Sequence, residues 1–372
     1  MCFGNLAWPA FAAAFAEAGV PANVARRAFA QVHRCGAEDF SKVAGLRAVA
    51  RDRLQSSGEF PAPLEVVERR RSADGFTKYL FRLFDGALVE AVRIPLPDPA
   101  LARVLRARRK EGRAAPLEAL PTSKYTVCVS SQVGCPLACD FCATGRLGGI
   151  RSLATWEIVA QVRQIAAEAD FPVRGVVFMG MGEPFLNYDQ VLAAAQIFSD
   201  PAGFAIAAKA ITISTAGVVP MIRRYTAEGH RYRLIVSLGS ALHEQRLQLL
   251  PIERRWPLEE LRAALGHYAE ASGDRVTVAY VALGGVNMSR EHARALAAWL
   301  GPMRAKVSLI DVSDETGRYQ PPSAEELHGF RDELASARIP FVRRYSGGGD
   351  IGAACGTLST RRSGGEIVTL RC

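Results

Sequence analysis

The sequence has no apolar run long enough to cross a bilayer. Its start also lacks the basic-then-apolar layout of a signal peptide, because Glu17 and small polar breaks come early. No internal repeat at fixed spacing and no low-complexity stretch stands out. Eight cysteines without an export signal imply a reducing compartment, where free thiols and metal clusters persist. A cytoplasmic protein that does not associate with membranes is expected. At 372 residues, with 49% hydrophobic and 22% charged residues, the chain can bury one large domain plus an appendage.

The net charge of +9 is distributed unevenly. Arg103, Arg106, Arg108, Arg109, Lys110 and Arg113 crowd one segment, with Glu111 the only acid among them, and Arg69 to Arg71 form a second cluster. Such runs are either solvated faces or phosphate contacts to a nucleic acid, and charge alone leaves the two even.

Residues 8 to 57 have a helical pattern. Ala-rich segments are separated by the turn Gly19-Val20-Pro21, a further helix is expected from about Phe40 to Gln55, and Pro61 and Pro63 close the unit. From Leu64 to Pro95 the period switches to two. Asp74-Gly75 and Asp85-Gly86 punctuate a three-stranded meander, and Glu90 falls in its last strand, where a solvent-facing carboxylate would be the ordinary reading. Residues 96 to 124 read as an exposed linker or insert with one short basic helix. After Lys124, six near-continuous apolar strands alternate with amphipathic helices. That pattern predicts an α/β fold with a parallel sheet, open rather than closed because eight units would need more chain. The expected division is a helical domain over residues 1–60, a meander and basic insert over 61–123, and a partial (β/α)6 barrel over 124–372 whose site lies at the strand C-termini.

Cys135, Cys139 and Cys142 follow a Cys-x-x-x-Cys-x-x-Cys spacing on the loop after the first of these strands. Three thiolates so close suit a soft-ligand metal site. Zinc would need a fourth ligand nearby, yet the next downstream cysteine is Cys355, and His243 lies in a different segment. A [4Fe–4S] cluster with one iron left open fits; a zinc knuckle or buried free thiols are the alternatives. Gly182 and Glu183, at the end of the second strand, suit close backbone approach and an ammonium partner. Ser214 and Ser237 end the third and fourth strands on the same rim, where each alone is equally well a strand-end cap. Cys355 sits in the glycine-rich run from Gly347 to Gly356, a flexible setting that makes it a candidate nucleophile, and Cys128 is a further thiol just before the cluster loop.

The cysteine loop resembles that of the radical S-adenosylmethionine (SAM) superfamily. Together CVSSQVGCPLACDFC, FMGMGEP, ITISTAGVVP and DIGAACG are similar to the RlmN/Cfr family of radical-SAM RNA methyltransferases over roughly two thirds of the chain, and more faintly through VEAVRIP and FSKVAGLRAVARDRL. The resemblance implies that SAM is used twice. One SAM methylates Cys355. A second, held on the cluster by Cys135, Cys139 and Cys142, yields a 5′-deoxyadenosyl radical that takes a hydrogen from the S-methyl group. The carbon radical then adds to an adenine ring. Glu90 matches the general base, and Cys128 resolves the covalent adduct through a transient disulfide with Cys355. An adenine carbon is too weak a nucleophile for direct SAM attack, so a cofactor radical is chemically reasonable, and a thiol pair gives a reversible exit. The implied substrate is carbon 2, or else carbon 8, of an adenine in 23S rRNA, with tRNA second. The implied partners are this RNA and a flavodoxin- or ferredoxin-type electron donor, and the protein is expected to be a monomer.

The chain departs from the family pattern in three places. The fourth strand ends Ser237-Leu238-Gly239, where the family has histidine in the last position. Ser313 stands where an asparagine normally contacts SAM, and Asp311 stands where proline is usual. The basic insert is also longer. Two other functions compete: a radical methylase of a small metabolite or peptide, favoured by the altered sixth strand, and a non-enzymatic iron–sulfur RNA binder. The joint presence of Glu90, Cys128 and Cys355 argues against the second, since a binder needs none of them.

Overall fold

A computed structural model describes residues 1–98, 121–314, 316–344 and 346–359. The arginine-rich insert around Arg103 to Arg113 lies outside the described residues. In chain order the chain begins with the helices α1 (Trp8–Glu17), α2 (Ala22–His33) and α3 (Ala48–Ser57). Then come the strands β1 (Glu65–Arg71), β2 (Thr77–Arg82), β3 (Leu88–Pro97) and β4 (Thr122–Cys128), and the short pair β5 (Gln132–Gly134) and β6 (Gly149–Ser152), with the helical turn α4 (Ala143–Arg146) between them. The rest alternates as α5 (Thr155–Glu168), β7 (Val173–Phe178), α6 (Tyr188–Ser199), β8 (Ile211–Thr215), α7 (Val219–Ala227), β9 (Arg233–Ser237), α8 (His243–Leu249), α9 (Leu258–Ser272), β10 (Val276–Ala282), α10 (Arg290–Leu300), β11 (Ala305–Asp311), α11 (Ala324–Ser336) and β12 (Phe341–Arg344).

The six expected β-α units are all present. The third helix differs: it begins at Ala48 rather than near Phe40. Asp39 explains the late start, because its Oδ1 accepts from both the backbone N–H and the hydroxyl of Ser41, fixing a turn where a helix would need that backbone.

Two compact units organise the described residues. One gathers residues 1–129, 153–177 and 189–211; the other gathers 130–152, 178–188 and those from 212 onward. In the first, Phe3, Phe11, Phe15, Phe29 and Phe40 form an aromatic core around α1 and α2, with Phe3 and Phe40 4.9 Å apart. Ring edges meeting ring faces add to the stabilisation from burying the rings. In the same unit β1, β2, β3 and β4 pair antiparallel in sequence order, and β4 pairs parallel with β7. In the second unit β8, β9, β10, β11 and β12 pair in that order, all parallel. Their interiors, such as the fully buried Ile213, Val236, Val278 and Leu309, are apolar on both faces, as helix-covered parallel strands require. Among the described residues no helix is long and apolar enough to cross a membrane.

Candidate active site

The cluster loop is the loop of a small hairpin. Gln132 pairs with Ser152 and Val133 with Arg151, so β5 and β6 close the base of residues 135 to 148. Gly134 makes that closure possible. Its φ is +71°, and a Cβ there would lie 1.9 Å from the Gly148 carbonyl oxygen. The Cys135 N–H then donates to that same oxygen at 2.8 Å, setting the first thiol at the mouth of the hairpin.

Cys139 and Cys142 are linked by a 3.1 Å bond from the Cys142 N–H to the Cys139 carbonyl. Asp140, between them, anchors the loop from outside. Its N–H donates to the Leu249 carbonyl at 3.0 Å, and its carboxylate accepts from Arg318 Nη1 at 2.7 Å and from the Tyr319 hydroxyl. Burial pushes the Cys135 thiol up to about 12, with Glu183 and Cys142 adding to the effect. Burial also pushes Cys139 up, together with its two neighbouring thiols and Glu183, while the Arg246 guanidinium pulls the other way. Thiols such as Cys135 and Cys139, which ionise only with difficulty and sit on one braced loop, are ordinary for ligands that shed their protons to a metal. Among the described residues no three His, Cys, Asp or Glu side chains converge tightly enough to hold a single ion. A cluster site built on three cysteines does not need that convergence, because each thiolate binds a different iron. The residues fit the cluster.

Glu183 is more deeply committed than its sequence suggested. Its Oε1 accepts the Phe185 N–H at 2.9 Å and its Oε2 the Ala216 N–H at 2.8 Å, with the Thr215 hydroxyl as a third donor. Complete burial still pushes the carboxyl up to about 7. Three protein donors leave little accepting capacity for an ammonium group. The neighbouring backbone is drawn in as well, since the Glu183 N–H donates to Gln132 Oε1 at 2.9 Å and a Cβ on Gly182 would lie 2.6 Å from that of Gln132.

Ser214 lies in β8, Ser237 ends β9, and parallel pairing sets Ser237 opposite Ala279. The Leu238 N–H donates to the Ala279 carbonyl at 3.0 Å. Gly239 has φ +70°, and a Cβ there would be 2.2 Å from Leu250 Cδ1, so glycine suits this position and a larger residue would have to displace Leu250. Asp311 is taken up by Arg343 on β12, at 3.0 Å. Ser313 lines a small cleft with Ala143, Arg146, Asp314, Thr316 and Gly356.

Cys355 is exposed. Its loop is tied to the cluster loop by two bonds: the Ala143 N–H donates to the Gly356 carbonyl and Thr144 Oγ1 to the Leu358 carbonyl, each at 2.7 Å. One unit therefore brings together the three cluster cysteines, Glu183, Ser214, Ser237 to Gly239, Ser313 and Cys355.

Glu90 and Cys128 belong to the other unit. Antiparallel pairing places Val92 opposite both Lys78 and Cys128, and Glu90 lies two residues before Val92. Lys78, Glu90 and Cys128 thus share one face of this sheet. Glu90 is fully buried, against the solvent-facing expectation, and Lys78 Nζ lies 3.1 Å from its Oε1. The two Asp-Gly turns fix the register that sets Lys78 opposite Val92, but no motif marks Lys78 itself. Arg246, on α8, is fully buried; its Nη1 reaches Glu253 Oε2 at 3.2 Å and its Nη2 donates to the Ala216 carbonyl at 2.8 Å. Nothing in the local pattern of α8 marks that arginine as a core residue.

A model of the radical SAM superfamily matches residues 129–297. A probable RNA methyltransferase of Myxococcus xanthus is 52% identical over 346 residues, which is 92% of this chain and 90% of that protein. The dual-specificity RNA methyltransferase RlmN of Syntrophobacter fumaroxidans is 40% identical over 337 residues, covering 90% of this chain and 91% of that one. The chain belongs to the RlmN/Cfr family of radical-SAM RNA methyltransferases. A radical SAM methyltransferase from Sphaerobacter thermophilus, solved as a crystal structure, superposes with a TM-score of 0.81 at 35% identity, over 96% of this chain and 99% of that one. An RlmN/Cfr enzyme has a mixed α/β radical-SAM fold, uses SAM, and carries a [4Fe–4S] cluster. When bound, the cluster supplies the electron that cleaves SAM reductively.

Proposed function

We propose that the protein methylates an adenine ring carbon of RNA, carbon 2 in preference to carbon 8, through an S-methyl intermediate on Cys355. The observation that carries this reading is the exposed Cys355 on a loop bonded through Gly356 and Leu358 to the cluster loop. A cysteine held there is available first to a SAM methyl group and then to a radical formed beside the cluster. Cys135, Cys139 and Cys142 are the cluster ligands in this reading, and the rim from Gly182 through Ser214, Ser237, Leu238, Gly239 and Ser313 holds SAM. With Glu183 already holding three donors, the SAM ammonium in this reading goes chiefly to backbone acceptors on that rim. Glu90, on the same sheet face as Cys128, removes the ring proton once the carbon bridge has formed, and the unpaired electron of the adduct would return to the oxidised cluster. The Cys128 thiolate then attacks the Cys355 sulfur, so a Cys128–Cys355 disulfide forms as the sulfur–carbon bond breaks. The electron pair of that bond stays with the bridging methylene, which takes a proton from solvent and becomes the methyl group on the base.

The name of the Syntrophobacter relative, a dual-specificity RNA methyltransferase, supports RNA as the substrate. In this reading the RNA is 23S rRNA, with tRNA second. The reading includes a flavodoxin- or ferredoxin-type reductant, a cytoplasmic location and action as a monomer. Mass spectrometry of digested ribosomal and transfer RNA from a deletion strain should show the loss of one methyladenine. Cys128→Ala should stall as a nuclease-sensitive, protein-sized RNA adduct on denaturing gels, with Cys355 bonded through the methylene carbon. Free methylated RNA at a near-normal rate from this variant would remove Cys128 from the mechanism, and an unmodified Cys355 after incubation with SAM would remove the S-methyl step.

A further inference from the structure

The base assigned in the proposed mechanism sits in a surrounding that opposes its task. Glu90 is fully buried, and a carboxylate taken out of water favours its protonated form, which cannot accept a proton. Lys78 stands against that tendency. It is 6% exposed, its Nζ is 3.1 Å from Glu90 Oε1, and an ammonium at that distance favours the ionised carboxylate.

The contact is built in by the strand register. Leu80 opposes Glu90 and Lys78 opposes Val92, so Lys78 is the diagonal neighbour of Glu90 across β2 and β3. Among the described residues of β1 to β4, the other charged groups on this face are further along it or already paired. Arg70 holds Glu68 at 2.9 Å on β1, Arg82 holds Glu65 at 3.5 Å, Lys124 lies at the far end of β4, and Cys128 is the thiol of the reaction itself. Arg93 is on the opposite face, where its Nη2 donates to Thr77 Oγ1 and its guanidinium lies over the Tyr125 ring.

We propose that Lys78 is a positioning residue of the methyl-transfer reaction, holding Glu90 ionised and aimed so that it takes the ring proton at neutral pH. The proposal rests on Glu90 being the base. The proton passes from the ring carbon to a carboxylate oxygen of Glu90, and Lys78 takes no part in the transfer. An ammonium partner also makes the carboxylate a weaker base, so Lys78 trades intrinsic strength for a correctly ionised group at working pH. A lysine with a merely structural role would show no such exchange.

The test uses the full-length, anaerobically reconstituted enzyme and unmodified ribosomal RNA from a deletion strain. RNA methylation is measured between about pH 6 and pH 9 and divided by 5′-deoxyadenosine formation in the same tube, so that earlier steps cancel. Lys78→Met should shift the acid limb of this profile upward by about one pH unit or more, lowering the ratio roughly tenfold on the acid side of the limb, with recovery in alkali to at least the parent plateau. Lys78→Arg keeps the charge and should leave the limb in place. Lys78→Gln is neutral but still gives the buried carboxyl a donor, so it serves should the methionine variant not fold. A folded neutral variant with an unmoved limb overturns the proposal. So does failure of both neutral variants to fold while Lys78→Met with Glu90→Gln folds, since the pair is then structural. Glu90→Gln alone, if it methylated RNA normally, would instead sink the assignment of the base.

Discussion

His33 shows what burial does to a single ionisable group. It is 1% exposed, its ring lies 4.3 Å from that of Phe29, and its Nε2 is 3.1 Å from the Leu6 carbonyl, so the Nε2–H tautomer is the one present. Its pKa falls from 6.5 to about 3, chiefly through burial; the Leu6 bond and Asp200 oppose the fall and Arg163 adds to it. A histidine kept neutral in the folded state lets the unfolded chain bind the proton first. The folded state therefore loses stability as pH falls below 6.5 towards 3, by an amount on the order of 5 kcal/mol at the limit. His33→Gln cannot titrate, so the gap in Tm between parent and variant should narrow as pH falls from 7 through 5. A gap that stays constant would mean the ring takes up its proton as readily in the folded protein as in the unfolded chain.

The β5–β6 hairpin presents a similar constraint at the scale of an element. Gly134→Ala adds left-handed backbone strain of roughly 1–3 kcal/mol and pushes a methyl group into the Gly148 carbonyl. Gly148 has φ +72° but open space around it, so Gly148→Ala adds strain alone. After anaerobic reconstitution the Gly134 variant should bind far less iron per chain than the Gly148 variant. Equal iron contents would show that the closed hairpin does not hold the cluster loop. This element was illegible in the sequence, because strands of three and four residues rich in glycine leave no period-two signal. The six β-α units were legible because their apolar runs are long. The start of α11 was marked by Ser323 and Glu326, whose reciprocal bonds form a capping box, although no helix was expected there. The site was legible as residue types and spacing. What could not be read was which donors fill Glu183, that Glu90 is buried against Lys78, and that Arg246 reaches the Ala216 carbonyl, since all three depend on contacts distant in sequence or across strands.

At the scale of the whole molecule, a net charge of +9 on a protein that handles a polyanion should appear in its salt dependence. Neutralising Arg103, Arg106, Arg108 and Arg109 together should weaken RNA binding and flatten the log–log salt slope by about 0.7–0.9 for each phosphate that the protein no longer neutralises. An unchanged slope would return that segment to plain solvated surface. The bond from Thr144 to the Leu358 carbonyl has a further consequence, because it spans 214 positions of sequence. On a ribosome, the cluster loop emerges long before the residues that strap it. Until residues 356 to 358 have been translated, that loop keeps its thiols without its C-terminal ties. Strapped cluster loading is thus confined to chains translated past Leu358, and a product interrupted before that point would expose three unfastened cysteines to oxidation and degradation.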